Sequence, residues 1–206
     1  MDNYYNQLKP AIDTLENLIK KYKHKNNIEI EIRIGRIEEG KFCAGIFSGD
    51  FYNKILKSLN SYKKWKSVKT TDKVEYINNN IRKVDNKFIS KEKIENINFS
   101  FKDTPYDFRI SVSQETPINC DNFTHKIIRR KHRVSFEYKE CLFELTKVEE
   151  ENDEEIIENE EFEIELINLK SDTTDKYRAH SALLKIRDII NICEPILDTS
   201  HVVKLI

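Results

Sequence analysis

Strict alternation of charged and large apolar residues marks two segments, one near each end of the chain. Residues 28–34 read Ile-Glu-Ile-Glu-Ile-Arg-Ile, and residues 161–166 read Glu-Phe-Glu-Ile-Glu-Leu. Because successive side chains on a strand point to opposite faces, each segment predicts a strand with all of its charges on one face. Glutamates two apart on that face repel each other, so we expect it to be neither ordinary core nor ordinary solvent surface.

Weaker alternation continues through the middle of the chain. We predict strands over 28–36, 67–77, 80–84, 87–94, 106–115, 125–138, 141–149 and 160–168. Short turns such as 84–87 join most of them, which indicates an antiparallel meander. Eight such strands are enough to close a barrel whose interior holds a small ligand or is filled with side chains. The predicted fold is therefore α+β and mainly β, a closed antiparallel eight-stranded barrel over 28–168 with a polar interior.

Helical spacing of apolar residues appears outside these strands. It predicts an N-terminal helix over 10–23 with Pro10 in its first turn, a helix over 49–63 capped by Ser48 or Asp50, and a C-terminal helix over 174–192. The expected inward residues are Ile12, Leu15, Leu18, Ile19 and Tyr22 in the first helix, Phe51, Ile55, Leu56 and Leu59 in the second, and Tyr177, Leu183, Ile186, Ile189 and Ile190 in the third. We expect all three to pack outside the barrel, and Trp65 to close the core beside the second.

Composition limits the class of protein. No Pro-, Gly- or Ser-rich linker divides the 206 residues, which predicts a single domain over 1–206. The sequence has neither a run of about 18 apolar residues nor a signal-peptide pattern, so we expect a soluble intracellular protein with no membrane partner. The four cysteines show no metal-binding spacing and are expected to be reduced and packed.

The net charge of −1 conceals a strong separation of charge. Of the 36 acidic residues, eleven lie in 149–165 with no basic residue among them, which leaves 25 acids against 35 bases elsewhere. Most of the chain is therefore basic, as expected for a protein that binds a polyanion. We interpret 149–160 as a solvated acidic loop.

The charged strand faces carry the candidate chemistry. A hard divalent cation, Mg²⁺ or Mn²⁺, would relieve the repulsion among Glu29, Glu31, Glu163 and Glu165, with Glu161 close by, because it takes carboxylate oxygens and leaves positions for phosphates. The alternative is two edge strands joined by salt bridges. Alternation in the middle strands gives three further polar faces. They consist of Arg109, Ser111, Ser113 and Glu115 on the first strand, Lys131, Arg133, Ser135 and Glu137 on the second, and Glu144 and Thr146 on the third. Such an interior is too costly to keep empty and dry, so we expect a hydrated tunnel for an anionic ligand, although a basic surface strand would also explain Lys131 and Arg133.

These motifs, in this order, resemble the metal-dependent RNA 5′-triphosphatases of mRNA capping in fungi, protozoa and large DNA viruses, members of the triphosphate tunnel metalloenzymes. The resemblance covers roughly residues 28–170. It rests on Ile-Glu-Ile-Glu-Ile-Arg-Ile-Gly at 28–35, Tyr-Asp-Phe-Arg-Ile-Ser-Val-Ser-Gln-Glu-Thr-Pro at 106–117, Arg-Lys-His-Arg-Val-Ser-Phe at 130–136, Phe-Glu-Leu-Thr-Lys-Val at 143–148 and the late Glu-x-Glu-x-Glu strand.

The resemblance implies that the chain hydrolyses the γ-phosphate of triphosphate-ended nascent RNA with Mg²⁺ or Mn²⁺. Glu115 would orient the attacking water, and Glu144 would hold basic residues or a water. The expected phosphate contacts are Arg82, Lys91 or Lys93, Arg109, Lys131 and Arg133, whereas Arg33 either contacts phosphate or only neutralises its neighbouring glutamates. Relatives often have two adjacent basic residues where this chain has Lys91-Glu92-Lys93, and Asp where it has Glu144.

Two other functions stay open on the sequence alone. One is hydrolysis of inorganic, thiamine or free nucleoside triphosphates on the same fold, since Glu29-x-Glu31-x-Arg33 approaches the Glu-x-Glu-x-Lys start of those enzymes. The other is a non-catalytic RNA-binding module of a capping complex. The resemblance further implies a guanylyltransferase partner, in cis or in trans, and a location in the nucleus or, for a viral protein, in the virion or a cytoplasmic virus factory.

Overall fold

The computed structural model describes residues 2–45, 50–101, 104–192 and 202–205, with side chains from residue 6 onward. The helices are α1 (Asp2–Tyr22), α2 (Phe51–Ser61) and α3 (Asp175–Asn191). The strands are β1 (Ile28–Glu38), β2 (Lys41–Ala44), β3 (Ser67–Asn78), β4 (Ile81–Val84), β5 (Lys87–Phe101), β6 (Asp107–Ile118), β7 (Ile127–Tyr138), β8 (Cys141–Glu151), β9 (Ile156–Leu166) and β10 (Val202–Leu205). No helix in these ranges has the length and apolar character needed to cross a membrane.

Eight of the strands close on themselves. The ring runs β1, β6, β5, β4, β3, β7, β8, β9 and back to β1, with every neighbouring pair antiparallel. The short strands β2 and β10 add to β1 and β5 respectively. This closed eight-stranded antiparallel barrel confirms the predicted fold class. It also excludes the interpretation of β1 and β9 as edge strands, because each is paired on both sides.

Alternation along the strands separates an apolar outer face from a polar inner face. Ile30, Ile32 and Ile34 of β1 are buried in one core with Phe108 and Ile110 of β6. The helices contribute their apolar faces to the same core, including Leu8, Ile12, Leu15 and Ile19 of α1 and Leu183, Ile186, Ile189 and Ile190 of α3. The core therefore lies between the barrel wall and the helices, and the charged residues of the same strands are left facing the barrel interior.

The first helix begins earlier than predicted. α1 starts at Asp2, so Pro10 lies inside it and not in its first turn. A proline inside a helix costs about 3 kcal/mol because it removes one backbone hydrogen bond. Leu8, fully buried on the N-terminal side of Pro10, shows what continues the helix: its apolar face extends past the proline and packs into the core. Tertiary packing thus outweighs the local stop signal.

The other two helices match the prediction except at single residues. Asp50 occupies the N-cap of α2 without a capping side-chain hydrogen bond, and the alternative cap Ser48 lies outside the described residues. Trp65 packs on Phe136 and Phe143 with ring centroids 5.3 and 5.2 Å apart, as expected for a residue that closes this core. In α3 the prediction for Tyr177 is wrong, because its side chain is 49% exposed.

The observed strand boundaries differ most from the predicted ones where a segment forms a strand only because a neighbouring strand pairs with it. β5 extends to Phe101, past a register shift between Lys93 and Glu95. β2 and β10, each four residues long, were not predicted. The acidic segment is not a loop: most of it forms the paired ends of β8 and β9, joined by a turn at 152–155. Arg130 forms ion pairs with Glu149 and Glu151, which ties this extension to β7.

Candidate active site

The two glutamate strands become neighbours in the barrel wall. Across the β1–β9 pair, Glu31 lies opposite Glu165 and Arg33 lies opposite Glu163. These residues are about 130 positions apart in the chain, so the cluster exists only because the barrel closes between its first and last strands. Glu31 and Glu163 are buried, at 4% and 5% exposed.

Arginines hold the centre of this cluster. Arg33 donates from Nε to Glu163 at 2.8 Å and from Nη2 to Glu31 at 2.9 Å. Arg133 donates from Nη2 to the other oxygen of Glu163 at 3.1 Å, and its Nη1 donates to Glu144. Burial alone would raise the pKa of Glu163, but the two guanidinium groups hold it well below its usual range. Glu163 is therefore an ionised carboxylate between two fixed cations.

For the surrounding carboxyl groups, these arginines do not fully compensate the effects of burial and mutual repulsion on the pKa. Burial and repulsion from Glu29 and Glu144 raise the pKa of Glu165 to about 8. Burial and the nearby Glu163 carboxylate raise the pKa of Glu31 to about 7, against the opposing attraction of Arg33. Raised pKa values of this kind show buried carboxyl groups that lack enough positive charge nearby to stay fully ionised at neutral pH.

This donor set fits a hard divalent cation by its chemistry, because carboxylate oxygens are the ligands that such ions prefer. Within the described residues, no group of three or more His, Cys, Asp or Glu side chains converges so as to hold a metal ion. The guanidinium of Arg33 occupies the space between Glu31 and Glu163 instead. The carboxylates are thus gathered at one place in an ion-paired arrangement.

Glu161 lies apart from the other four glutamates. It faces Thr146 across β8–β9 and accepts a hydrogen bond from Arg129 Nη2 at 2.7 Å. Arg129 also pairs with Glu150 at 3.0 Å. Arg129 was not among the predicted site residues, although it continues the alternating face of Lys131 and Arg133 and could have been found by extending that pattern two residues.

Lys131 has an acidic partner that sequence reasoning also missed. Its Nζ lies 2.8 Å from Glu75 of β3, and both side chains are buried. Burial lowers the pKa of Lys131 to about 8, although Glu75 pulls it the other way. Glu75 follows Lys73 on one face of β3, so the same alternation predicts its inward orientation. The burial excludes the interpretation of Lys131 as part of a basic surface strand.

The choice between Lys91 and Lys93 has a geometric answer. Lys91 is buried and forms ion pairs with Glu29 and, at 3.1 Å, with Glu115. Lys93 is exposed, immediately before the register shift in β5. Glu29 also accepts a hydrogen bond from Ser113 at 3.0 Å. Lys91, Glu29 and Glu115 therefore form one group, and Lys93 lies outside it.

Glu144 accepts a hydrogen bond from Arg133 Nη1 and helps to position that side chain. It also accepts a hydrogen bond from Ser135 Oγ at 2.9 Å, while Thr146 accepts one from Arg133 Nε at 3.0 Å. Burial and the neighbouring Glu163 raise the pKa of Glu144 to about 7, with Arg133 opposing. These contacts hold the guanidinium of Arg133 in place beside Glu163.

Two cavities occupy the barrel interior. The first has a volume of about 390 Å³. The charged residues that line it include Glu29, Arg33, Glu75, Arg82, Lys91, Glu115, Lys131, Arg133, Glu163 and Glu165. The second, of about 350 Å³, shares Lys73, Glu75, Lys131 and Arg133 with the first and continues past Ser135 and Glu144. A larger hollow of about 790 Å³ lies along β3, β7, β8 and β9 beside His132 and Glu158, and its lining shares Lys73 and Lys131 with the two interior cavities.

Arg109 and Glu115 lie toward opposite ends of the polar face of β6. Arg109 sits opposite Arg33 across β1–β6, and its Nε donates to Asn98 at 2.8 Å. Burial and the positive charge of Arg33 lower its pKa. Among the described residues no acidic group forms an ion pair with Arg109, so its charge is available to an anion.

A closed antiparallel barrel of eight strands, with carboxylates, lysines and arginines around an internal cavity, defines the class of triphosphate tunnel proteins. Solved structures agree. The S. pombe Pct1 RNA triphosphatase matches with a TM-score of 0.71 at 17% identity, covering 87% of this chain and 91% of that one. The RNA triphosphatase domain of a trifunctional mimivirus mRNA capping enzyme matches with a TM-score of 0.61 at 14% identity, covering 89% and 98%. At these identities the likeness shows the fold.

The sequence itself gives the family. The family model described as the mRNA capping enzyme, beta chain, matches residues 49–190, and the chain belongs to this family. No curated protein sequence matches it. Membership and fold together make the chain a polynucleotide 5′-triphosphatase that acts in mRNA capping, in a family that is metal-dependent.

Proposed function

We propose that the chain releases the γ-phosphate of triphosphate-ended nascent RNA inside the barrel, with Mg²⁺ or Mn²⁺ bound by Glu29, Glu31, Glu163 and Glu165. The observation that carries this proposal is the convergence of β1 and β9. It gathers buried carboxylates whose repulsion is only partly offset by Arg33 and Lys91. Glu161, paired with Arg129, would act one step removed from the ion and not as a ligand.

The bound cation would supply charge stabilisation to the oxygens of the γ-phosphate. Lysine and arginine side chains of the barrel would supply the remaining charge stabilisation. Lys91, Lys131 and Arg82 line the central cavity beside the carboxylates, so they would neutralise the phosphate chain. Arg133, held by Glu144 and Thr146, offers a fixed two-pronged donor. Preorganised donors of this kind are the main source of catalysis in phosphoryl transfer.

Glu115 is the residue that we propose orients the attacking water. It is half-buried where it lines the cavity, and Lys91 Nζ lies 3.1 Å from its carboxylate. In the strand register Glu31 lies directly opposite Glu165, whereas Glu115 lies opposite Lys91, which suits a role beside the ion and not on it. Glu144 is committed to Arg133 and Ser135, so its contacts support the role of holding a basic residue and not that of holding a water.

Partners are proposed by analogy with the similar structures. The mimivirus protein is a domain of a trifunctional capping enzyme, and a structure of Pct1 contains the Spt5 CTD with a TM-score of 0.69 at 17% identity, covering 87% of this chain and 93% of that one. For this chain we propose a guanylyltransferase, in cis or in trans, that takes the diphosphate end. We expect the protein where transcripts are made, in the nucleus or a viral factory.

The test compares phosphate release from triphosphate-ended RNA, ATP and inorganic triphosphate, with Mn²⁺, with Mg²⁺ and after chelation. We expect release from RNA with either ion and loss of release after chelation. Glu31→Ala is expected to abolish release. Glu158→Ala, an exposed glutamate of the same strand as Glu163, serves as the matched control and should retain full activity. Release that survives chelation, or full activity of Glu31→Ala, would contradict the metal assignment.

The same comparison addresses the competing functions. Turnover of free triphosphates without turnover of RNA would identify a small-molecule triphosphatase of this fold. RNA binding without any phosphate release would identify a non-catalytic module. Release of phosphate from both RNA and ATP would mean that free nucleoside triphosphates are additional substrates.

A further inference from the structure

An aromatic side chain that the proposed mechanism does not use lies beside Arg109. The ring of Phe42 in β2 is centred 4.4 Å from the guanidinium carbon of Arg109. Phe42 pairs with Ile37 of β1, which continues the inward-facing series Glu29, Glu31 and Arg33 by alternation. β2 thus brings an aromatic ring to the end of the barrel where the two arginines meet.

The close approach of β2 is encoded in the sequence. A Cβ atom at Gly35 would lie 2.3 Å from the carbonyl oxygen of Cys43 and 2.7 Å from Cζ of Phe42, distances that real Cβ atoms do not reach. Only glycine lets the second strand lie against β1 at this point. Asn159 of β9 donates to the carbonyl oxygen of Ala44 at 2.8 Å and holds the end of β2 in place. Phe42 is half-buried, so part of its ring stays accessible.

The positive charge of the two arginines at this end of the barrel is only partly neutralised by carboxylates, so it can bind an anion. Arg33 and Arg109 lie directly opposite each other, yet only Arg33 reaches carboxylates. Arg109 keeps one hydrogen bond to a neutral amide, that of Asn98, and its stacking contact with Phe42. A guanidinium that stacks on an aromatic ring still has N–H donors along its edge, and these donors can bind a phosphate.

The direction of the reaction places the leaving group here. Glu115 and Arg109 lie on the inner face of β6, six residues and therefore about 20 Å apart. In phosphoryl transfer, the attacking oxygen and the leaving oxygen lie roughly in line on opposite sides of the phosphorus. If water attacks from the side of Glu115, the departing phosphates point toward Arg33 and Arg109. The nucleoside that follows them then reaches Phe42.

We propose that Phe42 and Arg109 form a subsite for the first nucleoside of the substrate, in which the Phe42 ring stacks on the base and Arg109 binds the α-phosphate. This inference rests on the proposed function, because it uses the water position assigned to Glu115. Every base has an aromatic face, so such a subsite accepts any first nucleotide. It separates nucleoside-linked triphosphates from inorganic triphosphate, which has nothing to stack.

The experiment measures how strongly ATP and inorganic triphosphate compete with radiolabelled triphosphate-ended RNA in the Mn²⁺-loaded protein. Phe42→Ala should raise the inhibition constant of ATP at least about fivefold, since one stacked base contributes that much or more. The inhibition constant of inorganic triphosphate should not change. Phe42→Trp, which keeps an aromatic face, should retain the wild-type preference for ATP.

Two further variants sharpen the comparison. Gly35→Ala should displace β2 and reproduce the selective loss seen in Phe42→Ala, with Gly40→Asn as its control because nothing lies within 4 Å of a Cβ at Gly40 and Asn tolerates a positive φ. Ile89→Ala removes an apolar side chain from the cavity end that contains Glu115 and should leave the ratio of the two constants unchanged.

The outcomes separate this inference from the proposed function. An equal loss for both competitors, no loss for either, or a selective loss in Ile89→Ala and not in Phe42→Ala would overturn the nucleoside subsite. Wild-type protein that releases no phosphate from RNA would overturn the proposed function itself. Thermal unfolding of each variant shows whether it is folded at the assay temperature.

Discussion

Single charged residues in the barrel interior owe their properties to the partners that the fold gives them. Glu163 and Glu165 are two positions apart on one strand, yet the pKa of the first is held low by two arginines and that of the second is raised by burial and like charges. The same contrast separates Lys91, whose pKa is raised by Glu31 and Glu29 against the effect of burial, from Lys131, whose pKa is lowered by burial. Residue type alone therefore does not predict the direction of any of these pKa shifts.

The first prediction at this scale concerns Glu115. Glu115→Gln keeps the size and hydrogen bonding of the side chain but removes the charge that aligns and deprotonates a water. We expect kcat to fall by a factor of about 100 or more, with KM and the dependence on Mn²⁺ little changed, in steady-state assays on triphosphate-ended RNA. Recovery of normal kcat at high Mn²⁺ would instead make Glu115 a metal ligand.

The second concerns the pH dependence of Lys131. Its pKa of about 8 means that the free enzyme loses this positive charge as the pH rises through 8, so kcat/KM on RNA should fall above that pH. Lys131→Arg keeps the charge and should move the alkaline limb to higher pH. A limb that stays at the same pH in this variant would assign it to another group.

Protein stability should not follow the same course. The folded-state pKa of Lys131 lies below its ordinary value of 10.5, so between pH 8 and 10.5 the unfolded chain binds more protons at this residue. The contribution of Lys131 to the free energy of unfolding therefore rises with pH in this window. Urea denaturation at pH 8 and 10 can thus separate loss of activity from unfolding.

At the scale of elements, the pairing of β1 with β9 is what assembles the site. Arg33 and Glu163 face each other in this pair, and Arg133 reaches the same carboxylate from β7. Three strands that are remote in sequence are therefore joined by one buried carboxylate. This gives Glu163 a structural role that the alternating pattern did not reveal.

The third prediction compares Glu163→Ala with Glu31→Ala. Removing Glu163 leaves the half-buried guanidinium groups of Arg33 and Arg133 without their shared partner, which should cost about 2 kcal/mol or more in the free energy of unfolding. Glu31 is repelled by its neighbours, so its removal should cost much less. Urea denaturation gives the two values, and both variants should lack activity. Equal stability of the two would contradict the central position of Glu163 in the ion-pair network.

At the scale of the whole molecule, the barrel closes between strands from opposite ends of the chain, with the core between its wall and the helices. α1 and α3 are in contact with each other and β10 pairs with β5, so the first helix and the last described strand both pack with the rest of the described fold. We therefore expect one cooperative unfolding transition over 1–206, in keeping with a single domain.

The fourth prediction uses this cooperativity. A ligand that binds only the folded barrel stabilises it by about 2.7 kcal/mol when present at 100 times its Kd. Inorganic triphosphate with Mn²⁺ should therefore raise the Tm of the single transition in differential scanning calorimetry. Lys91→Ala, which removes a buried cation from the tunnel, should reduce this shift, whereas Glu158→Ala should not. Two separate transitions would contradict the single domain.

The sequence by itself determined which face of each strand is polar. Alternation predicted the eight barrel strands, and all fourteen predicted site residues occur on these strands, with every one except Lys93 half-buried or buried. The sequence also predicted the turn at Asp85 and Asn86, and both residues have the positive φ that a tight hairpin needs. Period-2 patterning is local, so no knowledge of the partner strand is required to detect it.

Only the tertiary structure decided what those faces meet. It paired Lys131 with Glu75, set Lys91 inside and Lys93 outside, and carried α1 past Pro10. It also formed β2 and β10, whose four residues each have too little pattern of their own to predict a strand. The physical reason is that register, burial and ion pairing depend on groups distant in sequence. Their energies appear only when the barrel closes and removes those groups from water.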